Sequence, residues 1–306
     1  MEIYLPIAEM SVHWLIILGM GAAIGFLSGL FGVGGGFLLT PLLIFYGVPS
    51  AVAVATTSSH ITASSISGAL TQWRKRALDL KMGLVMSAGG LVGTVFGVWL
   101  FGVMRRSGQM DLVVSASYVI LLGTVGGIML NESVGALRAV RGGSPPPARR
   151  SGQHLWMHGL PIKMRFRESR LYISVIPPVV IGFFVGVLSA IMGIGGGFVI
   201  VPAMIYLLRM PTNVVMGTSL FQIIIVTAAT TVLQATSNFA IDIVLALFLI
   251  LGGVVGAQLG VRAGERLRGE QLRLLLALLV LAVAGRLLFG LVVEPSDLFS
   301  VAMVGP

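Results

Sequence analysis

Apolar runs of about twenty residues recur along the whole chain, each long enough to cross ~30 Å of hydrocarbon as a helix. No other feature constrains the fold as tightly. Lipid offers backbone N–H and C=O groups no partner, so a spanning segment is a helix or part of a closed barrel. The runs are continuous rather than alternating, which argues against the barrel. Charged residues make up 10% of the 306, against about 25% in a soluble domain. The chain is therefore expected to be an all-α polytopic protein of the lipid bilayer. The 41 glycines fit that setting, because small residues let membrane helices approach closely.

Composition also removes several function classes. There is no cysteine, so thiol catalysis, disulfides and iron–sulfur ligation are excluded. Four scattered histidines and 11 acids form no metal-ligand cluster and no membrane-embedded acid pair. No metal, cofactor or enzymatic activity is expected. The net charge of +9 does not imply nucleic acid, since the basic residues cluster in short loops between apolar runs. The first apolar run has no basic stretch before it and continues into a glycine-rich break, so no cleavable leader is expected.

The chain repeats itself. Gly21-x3-Gly25-x3-Gly29 precedes Phe31-Gly-Val-Gly-Gly-Gly-Phe37 and Pro41. At an offset of 161, Gly182-x3-Gly186-x3-Ala190 precedes Met192-Gly-Ile-Gly-Gly-Gly-Phe198 and Pro202. Pro49 and Thr56-Thr57 match Pro211 and Thr218-Ser219, with one insertion, and Gln72 matches Gln234. Gly89-Gly90-x2-Gly93-x3-Gly97 matches Gly252-Gly253-x2-Gly256-x3-Gly260. Residues 1–130 and 171–306 read as two transmembrane repeats, joined by a basic, proline-broken linker at 131–170.

Each repeat offers five segments, at 12–30, 37–48, 51–72, 82–102 and 112–130, then 172–190, 198–208, 213–236, 243–261 and 274–293. The second of each five is too short to cross, at about 16 Å for 11 residues, and reads as a half-helix after a break. If each break is the tip of a re-entrant hairpin, the second repeat is inverted. Loops 73–81, 131–170, 209–212 and 262–273 then share one side and hold 17 of the 20 basic residues. Only Arg105 and Arg106 fall on the other side. If each break sits inside one crossing, the repeats are parallel and the basic loop 262–273 faces outside. The positive-inside bias favours inversion, with the linker cytoplasmic and both termini outside the cell inner membrane. Inverted repeats with broken helices are a recurrent plan of secondary transporters, whose sites lie at the breaks.

These residues resemble the TauE/SafE sulfite-exporter family, grouped with sulfonate permeases. The resemblance rests on Gly29-x2-Gly32-x-Gly34-Gly35-Gly36-x4-Pro41, on its copy Gly193-x-Gly195-Gly196-Gly197-x4-Pro202, on the Thr-rich helix starts and on the paired glycine helices. It covers about 20–130 and 180–290 and leaves the linker, longer than expected for the family, unassigned. The resemblance implies export or import of a small sulfur-containing anion, such as sulfite or an organosulfonate.

Three features are candidates for carrying transport. The first is the pair of breaks, Gly34, Gly35, Gly36 and Gly195, Gly196, Gly197. Half-helices beginning at Phe37 and Phe198 would point free N–H groups and positive dipole ends at an anion. The bland alternative is tight packing of a hairpin. No Gly-Lys-Ser/Thr follows, so the motif is not a nucleotide loop. The second is the polar start of each third segment, with Thr57, Ser58 and His60 matched by Ser219 and Gln222. Their hydroxyl, imidazole and amide groups can donate to oxyanion oxygens without a full opposing charge. The alternative for each Ser and Thr is a bond to its own helix. His60 is a candidate for proton coupling, because an unperturbed histidine can titrate near neutral pH. The third is Arg286, a charge inside a span that could contact an anion or snorkel outward. Asp79 and Asp242 read as helix caps, and Trp14, Trp73, Trp99 and Trp156 mostly as interfacial anchors. The glycine rows read as helix-contact faces, or in part as the surface of a homodimer. A secondary carrier for a small anion is the leading reading. An anion channel, or a carrier for another metabolite, is the alternative.

Overall fold

A computed structural model describes residues 2–31, 35–74, 77–141, 161–166, 168–169, 171–264 and 269–292. Strands β1 (Glu2–Leu5) and β2 (Met10–His13) form a hairpin. Helices α1 (Trp14–Phe31), α2 (Gly36–Phe45), α3 (Ser50–Arg74), α4 (Leu80–Arg106) and α5 (Met110–Arg141) follow. A second hairpin, β3 (Lys163–Phe166) and β4 (Leu171–Ser174), opens the second half. Then come α6 (Ile176–Met192), α7 (Gly197–Pro202), α8 (Thr212–Leu233), α9 (Ile243–Gly264) and α10 (Gly269–Val292). Among the described residues, five helical stretches are long and apolar enough to cross a bilayer, in α4, α5, α8 with its extension, α9 and α10. The protein is a mostly helical, polytopic membrane protein.

The first-half helices are interleaved with those of the second. The face of α1 bearing Gly21, Gly25 and Gly29 lies on the backbone of α9. A β-carbon at any of the three would come within 2.6 Å of the carbonyl oxygen of Leu249, Gly253 or Ala257. In return, Gly252, Gly256 and Gly260 face the carbonyls of Leu18, Ala22 and Phe26. The same interlock joins α6 to α4, with Gly182 and Gly186 on Met86 and Gly90, and Gly89 and Gly93 on Val179 and Phe183. A glycine costs a helix about 1 kcal/mol relative to alanine. Here the alternative is backbone overlap, so the rows stay glycine. They are used inside the chain, which leaves a homodimer to other faces.

Contact numbers rise together along α1 and α9, and along α4 and α6, so each pair runs in the same direction. The third helices behave differently. Thr62 meets Thr227, Gly68 meets Leu220, and Gln72 meets Gly217, so α3 and α8 run antiparallel. Helices α5 and α10 pack against each other.

The hairpins occupy matching places. Pairs Glu2↔His13 and Lys163↔Ser174 lie 161 residues apart, the offset of the glycine motifs. Asp79 caps α4, its Oδ1 accepting from Met82 N at 3.1 Å, while Oδ2 accepts from Ser169 N at 3.1 Å and Ser169 Oγ at 2.6 Å. Asp242 caps α9 through Leu245 N at 3.1 Å, and its Oδ2 accepts from Ile7 N at 2.9 Å and Ala8 N at 3.4 Å. The backbone N–H of each aspartate donates to a threonine on the third helix, Thr218 for Asp79 and Thr56 for Asp242. Residues assigned to the linker on sequence thus include β3, which tethers to the α4 cap, and the C-terminal part of α5. At the far end of α4, about 40 Å away for 27 residues, Arg105 bonds the Asn238 carbonyl, close in sequence to Asp242. The two hairpins therefore sit at opposite ends of the molecule.

Candidate functional site at the converging glycine breaks

Both half-helices start from a left-handed glycine. Gly35 has φ 61° and Gly196 has φ 77°, a region other residues enter at a cost. The turn lets the chain reverse sharply and aims α2 and α7 at one another. Phe37 and Phe198, one residue into each half-helix, stack with centroids 4.6 Å apart and planes 20° from parallel. A β-carbon at Gly36 would lie 2.8 Å from the Ile194 carbonyl, so one break rests on the backbone of the other. Ile61 of α3 wedges between them, against both Gly36 and Gly195. The arrangement is sealed, with Gly35, Gly36, Gly193 and Gly195–Gly197 all buried.

Polar atoms surround the second break. The Tyr118 hydroxyl of α5 donates to the Met192 carbonyl at 2.7 Å. The Thr40 hydroxyl lies 3.1 Å from where a β-carbon on Gly193 would sit. Gln234 Nε2 donates to Ala190 O at 3.2 Å. Thr227, whose methyl touches Gly195, accepts from the Thr62 hydroxyl at 2.8 Å. Elsewhere on the surrounding helices, several buried polar atoms have no protein partner, among them Thr57 Oγ1, Ser65 Oγ, Ser189 Oγ, His60 Nε2 and both amide atoms of Gln222. Each such atom costs about 1–3 kcal/mol when left unsatisfied, a cost that water or a bound polar group would offset.

The sequence candidates divide accordingly. Gly35, Gly36, Gly195, Gly196 and Gly197 meet at the centre, while Gly34 lies outside the described residues. His60 and Gln222 hold matching positions one helix face away. The His60 ring fills the space over Gly253 and its Nδ1–H donates to Leu249 O at 2.8 Å. A carbonyl only accepts, so the neutral ring carries its proton on Nδ1 and leaves Nε2 bare. Gln222 sits over Gly90, the counterpart of Gly253. Thr57 is fully buried and unpartnered. Ser58 and Ser219 bond their own helix, at Val54 O and Met216 O, as bland hydroxyls do. Arg286 is not brought to the site. It is exposed, with its guanidinium 5.3 Å above the Phe45 ring, at the opposite end of α2 from the break. An exposed cation at a span's outer half finds an aromatic face at less cost than it would reach a buried centre.

Comparison with known proteins decides the family. The model for the family described as "Sulfite exporter TauE/SafE" matches residues 17–287. The chain belongs to the TauE/SafE family. Among its relatives, the "Probable membrane transporter protein YjnA" of Bacillus subtilis is 27% identical over 268 residues, covering 87% of this chain and 96% of that protein. A "Probable membrane transporter protein" of Xylella fastidiosa is 29% identical over 284 residues, 90% of this chain and 95% of its own. No solved structure matches significantly. This TauE/SafE chain is a multi-pass membrane transporter, and the matched span runs from α1 to α10, taking in both breaks.

Three contributors to the centre escaped sequence reasoning. Ile61 reads as filler beside His60, yet it is the residue that touches both breaks. Thr40 stands alone among apolar neighbours, and no repeat partner draws attention to it or to Tyr118. For Thr40 the signal was isolation itself: a lone hydroxyl within an apolar half-helix has to be satisfied by something.

Proposed function

We propose that this TauE/SafE transporter is a secondary carrier for a small sulfur oxyanion, sulfite or an organosulfonate, held where the two glycine breaks converge. The observation carrying the proposal is the meeting of two half-helix starts in one buried centre, with the Thr40 and Thr227 side chains against it. Two positive helix ends supply charge stabilisation without a fixed cation. That suits a substrate that must also be released. The family name and the relatives' names support transport, and the sulfur class follows from the family name alone.

Alternating access is the motion proposed, with residues 1–130 and 171–306 as inverted repeats. The antiparallel run of α3 against its counterpart α8 supports inversion, because a rotation in the membrane plane reverses equivalent helices. The buried state of the centre fits an occluded conformation. His60 is proposed to link protons to the anion, since protonating Nε2 would add a donor and a positive charge beside the site.

Thermal stabilisation of the purified protein tests the substrate class. A bound anion at 100 times its Kd adds about 2.7 kcal/mol of stability. Sulfite, sulfate, sulfoacetate, taurine and unrelated carboxylates are compared. A raised midpoint with sulfite or a sulfonate, lost in Thr40→Val, is the expected result. A response to carboxylates alone would overturn the sulfur assignment.

A further inference from the structure

Arg105 and Arg106 are the two loop-end cations that stand apart from the other basic loops. The anion site at the breaks makes no use of them. Both lie in the last turn of α4, where a positive charge also complements the helix dipole. Arg105 is committed to the Asn238 carbonyl. Among the described residues, no acid pairs with Arg106, which is exposed.

Arg106 heads a groove of about 280 Å³ between α4 and the wide helical turn Gln234–Asn238 that extends α8. Its floor is apolar. Val95, Trp99 and Val103 recur every fourth residue along one stripe of α4, about 12 Å long. They are 59%, 62% and 45% exposed, and Leu233 closes the opposite wall. The head of the groove is polar, formed by Arg106, Ser237 and Asn238. An apolar stripe of this length, on a spanning helix and ending in a cation and a hydroxyl, matches one ligand shape: a chain with an anionic head.

We propose that this groove binds an anionic phospholipid. Its phosphate sits on the Arg106 guanidinium and the Ser237 hydroxyl, and one acyl chain lies along Val95, Trp99 and Val103. A free inorganic anion would gain nothing from the stripe, and a zwitterionic lipid gains less from the cation, because its own ammonium offsets the phosphate. The site connects to the second glycine break. Asn238 Nδ2 donates to Gln234 Oε1 at 2.7 Å, and Gln234 Nε2 donates to Ala190 O at 3.2 Å, at the end of α6. Lipid at the groove is thereby in register with the segment that ends at Gly193.

The test is native mass spectrometry of the full chain in detergent, titrated with phosphatidylglycerol or phosphatidylcholine. The wild type is expected to hold one phosphatidylglycerol more tightly than phosphatidylcholine. A surface Arg or Lys near an anionic headgroup is worth about fivefold in affinity. Arg106→Gln should lose that factor, Trp99→Ser should weaken both lipids, and Lys81→Gln at the other end of α4 should change neither. Arg106 and Trp99 are exposed, so these variants should fold. Equal phosphatidylglycerol binding by wild type and Arg106→Gln would overturn the proposal. So would displacement of the lipid by millimolar phosphate with no effect of Trp99→Ser, which would mark a free-oxyanion site instead.

Discussion

The proposed site residues include side chains whose burial costs stability. Thr57 and Gln222 are wholly buried, and their polar atoms have no protein partner. Removing such atoms while keeping the shape should relieve an unmet desolvation cost. Thr57→Val and Gln222→Leu are therefore expected to raise unfolding stability by about 1 kcal/mol each while cutting flux tenfold or more. Lower stability with unchanged flux would make these residues packing elements. His60 allows a finer separation. Asparagine can keep the bond to Leu249 O but has no equivalent of Nε2. His60→Asn is expected to fold and transport without responding to an imposed pH gradient, measured in vesicles with and without one. A retained response would remove His60 from proton coupling. The candidates Thr57, His60, Ser219 and Gln222 were legible in sequence because they recur at matching places in two repeats. Ile61 and Thr40 were not, because which face a residue shows depends on the neighbour, and nothing in the chain's own spacing names that neighbour; for Arg286 the outward alternative is the one the structure shows.

Elements tell a similar story about range. The glycine rows announced helix contacts because a four-residue spacing on one helix is a local signal. Which helix each row meets was not legible: α1 packs on α9, not on a neighbour in its own half. The hairpins were missed altogether. Strands of four residues, Glu2–Leu5 and Lys163–Phe166, carry too little alternation to register. The carboxylates of Asp79 and Asp242 make them part of the fold. Each caps a helix and also receives two bonds from the turn of a hairpin. Asp242→Asn should free the β1–β2 hairpin, seen as faster amide exchange over Glu2–His13, with β3–β4 unchanged. Asp79→Asn should do the converse. The expected cost is about 1–3 kcal/mol for each. Slower exchange, or loosening of both hairpins by either variant, would contradict independent anchoring at two ends.

At the scale of the molecule, the proposed orientation rests on the charge of the loops, and the two hairpins mark the opposite ends. The chain has no cysteine, so single cysteines report cleanly. Ser107→Cys and Glu168→Cys lie at exposed positions at opposite ends of α4. In intact cells an impermeant thiol reagent is expected to label the first and spare the second. Labelling of both, or of Glu168→Cys alone, would reverse the proposed orientation. The claim on which the rest depends is that an anion is carried where the two breaks meet. Sulfite or sulfonate flux into proteoliposomes addresses it, comparing wild type with Gly35→Ala and Gly196→Ala, both at left-handed backbone positions. Gly123→Ala, which has open space around it, serves as control. Flux that saturates with concentration, falls at least tenfold in the two break variants and persists in the control is the expected result. Flux that rises without saturating, or that survives in folded Gly35→Ala and Gly196→Ala, would contradict it.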